Sequence, residues 1–307
     1  MNILSLVQTA LELGLICSLT VLALFLSYSM LNVCDLSTDS CFTLGAAVGA
    51  MVAIAGHPYL ALLAAMGAGV LSGFITALLQ TKMGIDSLLA GIIVNTGLYS
   101  VNIAVMGGSS LLNMNKTETV FTKARALLQG TFLAEQYKLL VAAIAVIAVI
   151  VFLVLFLHTR LGLAIRATGD NPDMVRSSSI NPTFTTIVGL CVANAFTGLS
   201  GCLLAQSQKS VSIDIGTGMV TIALASLLMG QVLLQGQHSQ AGRRHGGGRL
   251  CLPHGVYHRP AAGYARLHAE AGVLGDRGAG HRRPLFQKAA AHAAPPHGCA
   301  KGGPPSC

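Results

Sequence analysis

The sequence predicts an all-α fold, a polytopic bundle of transmembrane helices, on three observations. The chain of 307 residues is 53% hydrophobic and only 10% charged, whereas soluble domains carry roughly 25% charged residues. Its mean hydropathy is +0.66, and Lys82 is the sole Lys or Arg between Met1 and Asn115. Runs such as "LGLICSLTVLALFLSYSML" and "YKLLVAAIAVIAVIVFLVLFLH" match the length of about 20 residues that a helix needs to cross a bilayer core. Strand-like alternation is absent, and a helix satisfies its own backbone where lipid offers no partner.

About seven spans follow in order, at roughly 5–31, 41–56, 59–81, 85–107, 137–158, 183–206 and 217–234. The first lacks a basic segment before it and is too long for a cleaved secretory leader. The second is short, so a broken or partly re-entrant segment is expected there. Small residues let helix backbones approach closely in a membrane, so Gly67, Gly69, Gly198 and Gly201 should mark tight contacts. Met51, Met66, Met83 and Met106 read as packing residues, because no paired spacing suggests a metal path. The eight cysteines sit mostly in spans or in the C-terminal tail and read as small apolar residues rather than a disulfide framework.

Basic residues in short loops orient the bundle. Arg160, Arg166 and Arg176 mark the loop at 160–182 as cytoplasmic. Counting spans backwards puts 108–136 outside, the link at Lys82 inside and the N-terminus outside. The loop "RLGLAIRATGDNPDMVRSSSINP" is charged and capped. Asn171 can cap a helix, Pro172 suits its first position, and Asp173 complements its positive end. A short helix through about Ser178 should follow, ended by Asn181–Pro182. Read from the residues alone, a solvated connector explains the loop equally well.

The segment "GLAIRATGDNPDMVRSSSIN" resembles the coupling loop of permease subunits of ABC importers, of the branched-chain amino acid and ribose type. "LSYSMLNVCDLSTDSCFTLGAAVGA", "MGIDSLLAGIIVNTGLYSVNIAVMG" and "SVSIDIGTGMVTIALASLLMGQVLL" are similar to further stretches of that family, in the same order. The resemblance covers essentially all of 1–234. It implies a permease for a small solute, such as an amino acid, in the cell inner membrane. Implied partners are an ATP-binding subunit, an extracytoplasmic solute-binding protein and a second permease copy, identical or not. On the matching positions, Arg166, Gly169, Asn171, Pro172, Asp173, Val175 and Arg176 would couple the membrane bundle to the ATPase.

The chain has no "GxxxxGK[ST]" phosphate loop, so the ATP-binding motif would have to come from a partner. Neither HExxH nor GxSxG occurs, and no enzyme chemistry, cofactor, metal site or nucleic-acid contact is expected. Polar side chains at membrane depth suggest a pathway by default. Glu12, Asp35, Asp39, Asp86, Asn95, Asn102 and Asn194 are of this kind. Asp35 and Asp39 flank the expected break before the second span. There they either line the solute path or cap the broken segment. Asn95 and Asn102, seven apart, share one helix face and either contact solute or bond to a neighbouring helix. The alternative function is an ion-coupled secondary transporter, which needs a buried carboxylate at the bundle centre and no ATPase.

Composition shifts after Leu234. Residues 1–234 carry nine basic and nine acidic side chains, and 235–307 carry ten basic ones against Glu270 and Asp276. The tail is rich in Gly, Arg, His and Pro and is expected to be disordered. Residues 264–287, read one base later with suitable synonymous codons, can yield an apolar span, so an out-of-frame tail is expected.

Overall fold

The computed structural model describes residues 3–127 and 136–244. The order of elements is α1 (Ile3–Leu24), a π-helical turn (Phe25–Met30), α2 (Thr38–Ile54), α3 (Pro58–Thr81), α4 (Ser87–Val105), β1 (Leu111–Asn113), α5 (Val120–Leu127), α6 (Tyr137–His158), α7 (Arg160–Asp170), α8 (Pro172–Ser177), α9 (Pro182–Gln208), β2 (Ser210–Ser212) and α10 (Met219–Arg244). Proline opens α3, α8 and α9 at a position whose backbone N–H has no helical partner to lose.

Five of the helical segments are long and apolar enough to cross a membrane: Leu6–Met30, Pro58–Thr81, Ser87–Val105, Tyr137–His158 and Pro182–Gln208. Two shorter apolar helices, Thr38–Ile54 and Met219–Val232, complete the set of seven. The second span is thus short because its helix begins only at Thr38, after a non-helical segment that follows the π turn. The backbone of α10 stays helical to Arg244, past the boundary at 234 that composition suggests. The expectation of a disordered tail falls on 245–307, outside the described residues.

Helix α9 is the axis of the bundle. Its most apolar 18-residue window is 78% buried, against 22–33% for the other four long spans. It packs most extensively on α3, then on α2 and α1. Glycines make this possible. A Cβ on Gly45 of α2 would strike the backbone of Gly198, and one on Gly198 would lie 2.5 Å from the Ala65 carbonyl oxygen of α3. Gly69 and Gly201 likewise face backbone of α9 and α2, respectively. Gly67 does not behave as expected: nothing lies within 4 Å of a Cβ placed there, because it falls on the outer side of α3. Met106 packs at 2% exposure, but Met51 and Met83 are 41% and 68% exposed. Met51 lies on the outward face of α2 and Met83 in the exposed bend after α3, which corrects the reading of both as packing residues. Among the described residues Cys41 and Cys202 are buried and Cys17, Cys34 and Cys191 half-buried, and all five are free thiols.

Antiparallel packing sorts the connections to two ends. Gly73 of α3 meets Leu190, and Pro58 meets Gln206, so the Lys82 turn lies at the end where α9 begins. Leu31, just beyond the π turn, contacts Gly189, which brings the C-terminal end of α1 there too, beside α7 and α8. The opposite end holds α5 and the antiparallel pair β1–β2, registered Leu111↔Ser212 to Asn113↔Ser210. Gln206, fully buried, ties that end together: its Oε1 accepts from Val120 N at 3.0 Å and its Nε2 donates to the Pro58 carbonyl at 3.4 Å.

Candidate functional site

The loop at 160–182 folds into two helices where the sequence suggested one. Thr159 caps α7, its hydroxyl accepting from Gly162 N at 3.2 Å. Gly162, Ala164, Ile165 and Thr168 turn inward, and Thr168 shares a 2.8 Å hydroxyl hydrogen bond with Thr185 of α9. This inward face, with apolar and small residues spaced three and four apart, was the signal for α7 that the charge of the loop obscured. Asn171 then caps α8, with its Oδ1 accepting from both Asp173 N and Met174 N at 3.1 Å.

Helix α8 ends in a Schellman motif. Ile180 N donates to the Val175 carbonyl and Ser179 N to that of Arg176, with Ser179 in the left-handed region at φ 61°. Asn181 caps α9 through Thr183 N at 3.0 Å. Two Asn-Pro pairs therefore start two successive helices, and Asn181–Pro182 opens α9 directly.

The predicted coupling residues divide by direction. Arg166, Asn171, Pro172, Asp173 and Arg176 are exposed, and Arg176 pairs with Asp173 at 3.1 Å. A solvent-exposed pair of this kind contributes little to stability. Val175 is 1% exposed and anchors α8 to its own chain. Gly169 also faces inward: a Cβ there would collide with the Met30 carbonyl oxygen. Outward-facing Leu163 and Met174, 59% and 58% exposed, supply apolar surface among the polar groups.

A polar cluster lies near the middle of the bundle, where α2 begins. Asp35 is 2% exposed. Its Oδ1 accepts from Ser37 N at 2.8 Å and Ser37 Oγ at 2.6 Å, and its Oδ2 accepts from Asn194 Nδ2 at 2.8 Å. Asn194 is about 18 Å along α9 from its start, so this carboxylate sits far from either helix end. Thr76 of α3 donates to Ser37 Oγ at 3.2 Å. Asp39 is half-buried and caps a different helix: its two oxygens accept from Gly218 N at 3.1 Å and Val220 N at 2.8 Å. A carboxylate at the positive end of α10 is electrostatically favoured. The two shorter apolar helices, α2 and α10, thus start side by side within the bundle.

Asn95 and Asn102 of α4 hold one residue between them. Asn95 Oδ1 accepts from Ser40 N at 3.1 Å, its carbonyl accepts from Ser40 Oγ at 2.8 Å, and Asn102 Nδ2 donates to the Ser40 carbonyl at 3.1 Å. Sequence reasoning missed Ser40, which carries no signal of its own until α4 is packed against it. Asp86 is exposed at the start of α4, which it caps through Leu88 N at 3.0 Å. Glu12 is half-buried and accepts from Gln8 Nε2 at 3.4 Å.

Among the described residues no group of three or more His, Cys, Asp or Glu could hold a metal ion. No solved structure is significantly similar to this chain. Known relatives are. The tyrosine transport system permease protein of Clostridioides difficile is 32% identical over 223 residues, 72% of each chain. The guanosine ABC transporter permease protein NupQ of Bacillus subtilis is 29% identical over 189 residues, 58% of each chain. The ribose import permease protein RbsC of Escherichia coli is 26% identical over 205 residues, 66% of this chain and 62% of the relative. Residues 6–242 match the family described as "Branched-chain amino acid transport system / permease component". With seven apolar helices among the described residues, α9 at their centre, a capped helix pair at one end and that match, the chain belongs to this family of multi-pass inner-membrane ABC permease components.

Proposed function

We propose that this permease component imports a small solute, an amino acid by preference, driven by an ATP-binding subunit that docks on α7 and α8. The observation that carries this reading is the two-sided build of that helix pair. Ile165, Thr168 and Val175 fasten it to the bundle, while Leu163, Met174 and the exposed charges of Arg166, Asp173 and Arg176 are left for another surface. A partner interface needs apolar anchors within a polar rim, and this face offers both. The solute-binding protein would meet the opposite end, and a second permease copy would complete the path. The tyrosine permease relative favours an amino acid, although relatives named for guanosine and ribose belong to the same group.

The solute path is proposed to run beside the start of α2. Asp39 is half-exposed there, next to Ser40, which Asn95 and Asn102 hold, and close in sequence to Ser37, which Asp35 holds. An ion-coupled carrier would also use a buried carboxylate such as Asp35. The Asp35 carboxylate already accepts three hydrogen bonds, two from Ser37 and one from Asn194, and among the described residues no group of three or more His, Cys, Asp or Glu gathers to hold a metal ion.

Copurification of the full chain with its co-expressed ATP-binding subunit tests the docking reading. Leu163→Asp with Met174→Asp should reduce recovery of the subunit at least about tenfold, the equivalent of one lost apolar anchor, with membrane insertion unchanged. Undiminished recovery would remove α7 and α8 from the interface. ATP-dependent uptake by the reconstituted complex, compared across tyrosine, leucine, guanosine and ribose, reads the solute class.

A further inference from the structure

The docking face and the polar cluster are joined by a short stretch of backbone. α1 loosens into a π turn, in which Leu31 N bonds to the Leu26 carbonyl at 3.2 Å. Asn32 follows at φ 55°, and residues 32–35 run without helical structure to Asp35. From Met30 to Asp35 is five residues, at most about 18 Å of chain.

Three glycines from three other helices clamp this stretch. Gly169 of α7 abuts the Met30 carbonyl and Leu31 Cα, and Gly189 of α9 abuts the Leu31 side chain. Gly91 of α4 leaves only 2.7 Å between an added Cβ and Leu36 N. Gln231 of α10 donates to Ser29 Oγ at 2.9 Å. Few backbone hydrogen bonds hold the stretch itself: Val33 N reaches the Ser27 carbonyl at 3.0 Å, and Ser37 N reaches its own turn at Asp35. It is therefore held in place by what touches it.

We propose that residues 30–37 are a transmission strap, which passes displacement of α7 to the Asp35–Asn194 cluster. The inference rests on α7 and α8 being the docking face, and it adds how movement there reaches the membrane interior. Because α7 meets the strap without an intervening side chain, a shift of α7 moves the Met30 carbonyl directly. The π turn supplies the give. It holds one residue more per turn than an α-helix, so conversion to α-helical bonding draws the strap along by about one residue rise, 1.5 Å, without breaking α1. At the far end the strap carries Asp35, whose bonds to Ser37 and Asn194 set the start of α2.

The strap contains its own reporter. Cys34 is half-buried, between Asn32 and Asp35. The test is alkylation of the full chain in lipid nanodiscs by N-ethylmaleimide, read cysteine by cysteine by peptide mass spectrometry. Cys17 of α1, also half-buried, is the internal control.

Gly169→Ala pushes the strap, and Thr168→Val removes the hydroxyl bond to Thr185 that steadies α7 without adding bulk. Each should change the rate at Cys34 by at least about threefold while Cys17 keeps its rate, the pattern of a local change in opening. Should Gly169→Ala fail to insert, Thr168→Val decides alone. A smaller change at Cys34, or one shared by Cys17, overturns the strap. Since no ATPase is present, that failure is distinct from a failure of docking.

Discussion

Replacing Asn194 by leucine removes the one donor that reaches Asp35 from another long helix. The two side chains share the same branched skeleton and leucine is the bulkier, so the effect is not that of a cavity. Asp35 Oδ2 loses its 2.8 Å partner while Oδ1 keeps both bonds to Ser37. A neutral hydrogen bond between membrane helices contributes about 0.6 kcal/mol and at most about 1.7. A bond to a charged acceptor contributes about 1.5–3 kcal/mol. With the cluster buried and no alternative donor provided, a loss of about 2 kcal/mol is expected. The assay is reversible unfolding of the full chain in mixed micelles, followed by circular dichroism.

Asp35→Asn should cost less, about 1 kcal/mol, because Asn194 can turn its Oδ1 toward the new Nδ2 and only the charge assistance of the bond is lost. Exchanging both residues, Asp35→Asn with Asn194→Asp, restores a charge-assisted bond across the same gap and should recover most of the loss. An Asn194→Leu protein within about 0.5 kcal/mol of the parent, the range of an uninvolved site, would refute the reasoning. So would an exchange no more stable than Asp35→Asn alone.

Gly198→Ala should destabilise by about 1–3 kcal/mol in the same assay, through overpacking against α2 and α3. Gly67→Ala, facing open space, should be neutral or stabilising by up to about 1 kcal/mol from helix propensity; equal losses at both would contradict the packing described. Asn171→Ala should cost about 1 kcal/mol in α8, read as faster amide hydrogen exchange confined to 172–177. Asp39→Asn leaves one of the two α10 amides facing a donor, so uptake by the reconstituted complex should fall with insertion intact. Unchanged uptake would leave Asp39 no role in the path.

Much of the fold is legible in local sequence because lipid imposes simple rules. Apolar length locates the spans, and Asn171–Pro172 and Asn181–Pro182 announce helix starts whose caps involve only the next residues. The features that sequence reasoning missed are those decided by partners far along the chain. Ser40 is an ordinary residue until Asn95 and Asn102, more than fifty positions away, close on it. Asp39 gives no sign that its acceptors serve α10, nor Gln206 that it binds Val120. Gly67 and Gly69 are equivalent as letters, and only the direction in which α3 presents them decides which one packs. Val175 sits inside a polar helix, and its role as an anchor emerges only once α8 lies against the bundle.

The central claim is that α7 and α8 form the cytoplasmic seat of an ATP-binding subunit. Site-directed cysteine crosslinking tests it most directly, in intact membranes containing the full chain and the co-expressed subunit. Met174→Cys, at an exposed position, should crosslink to the subunit. Val175→Cys, one residue on but buried, should not, and neither should Asn115→Cys at the opposite end of the bundle. Labelling of Met174→Cys only from outside the cell, or a crosslink at Asn115→Cys in place of Met174→Cys, would contradict both the docking face and the orientation of the bundle.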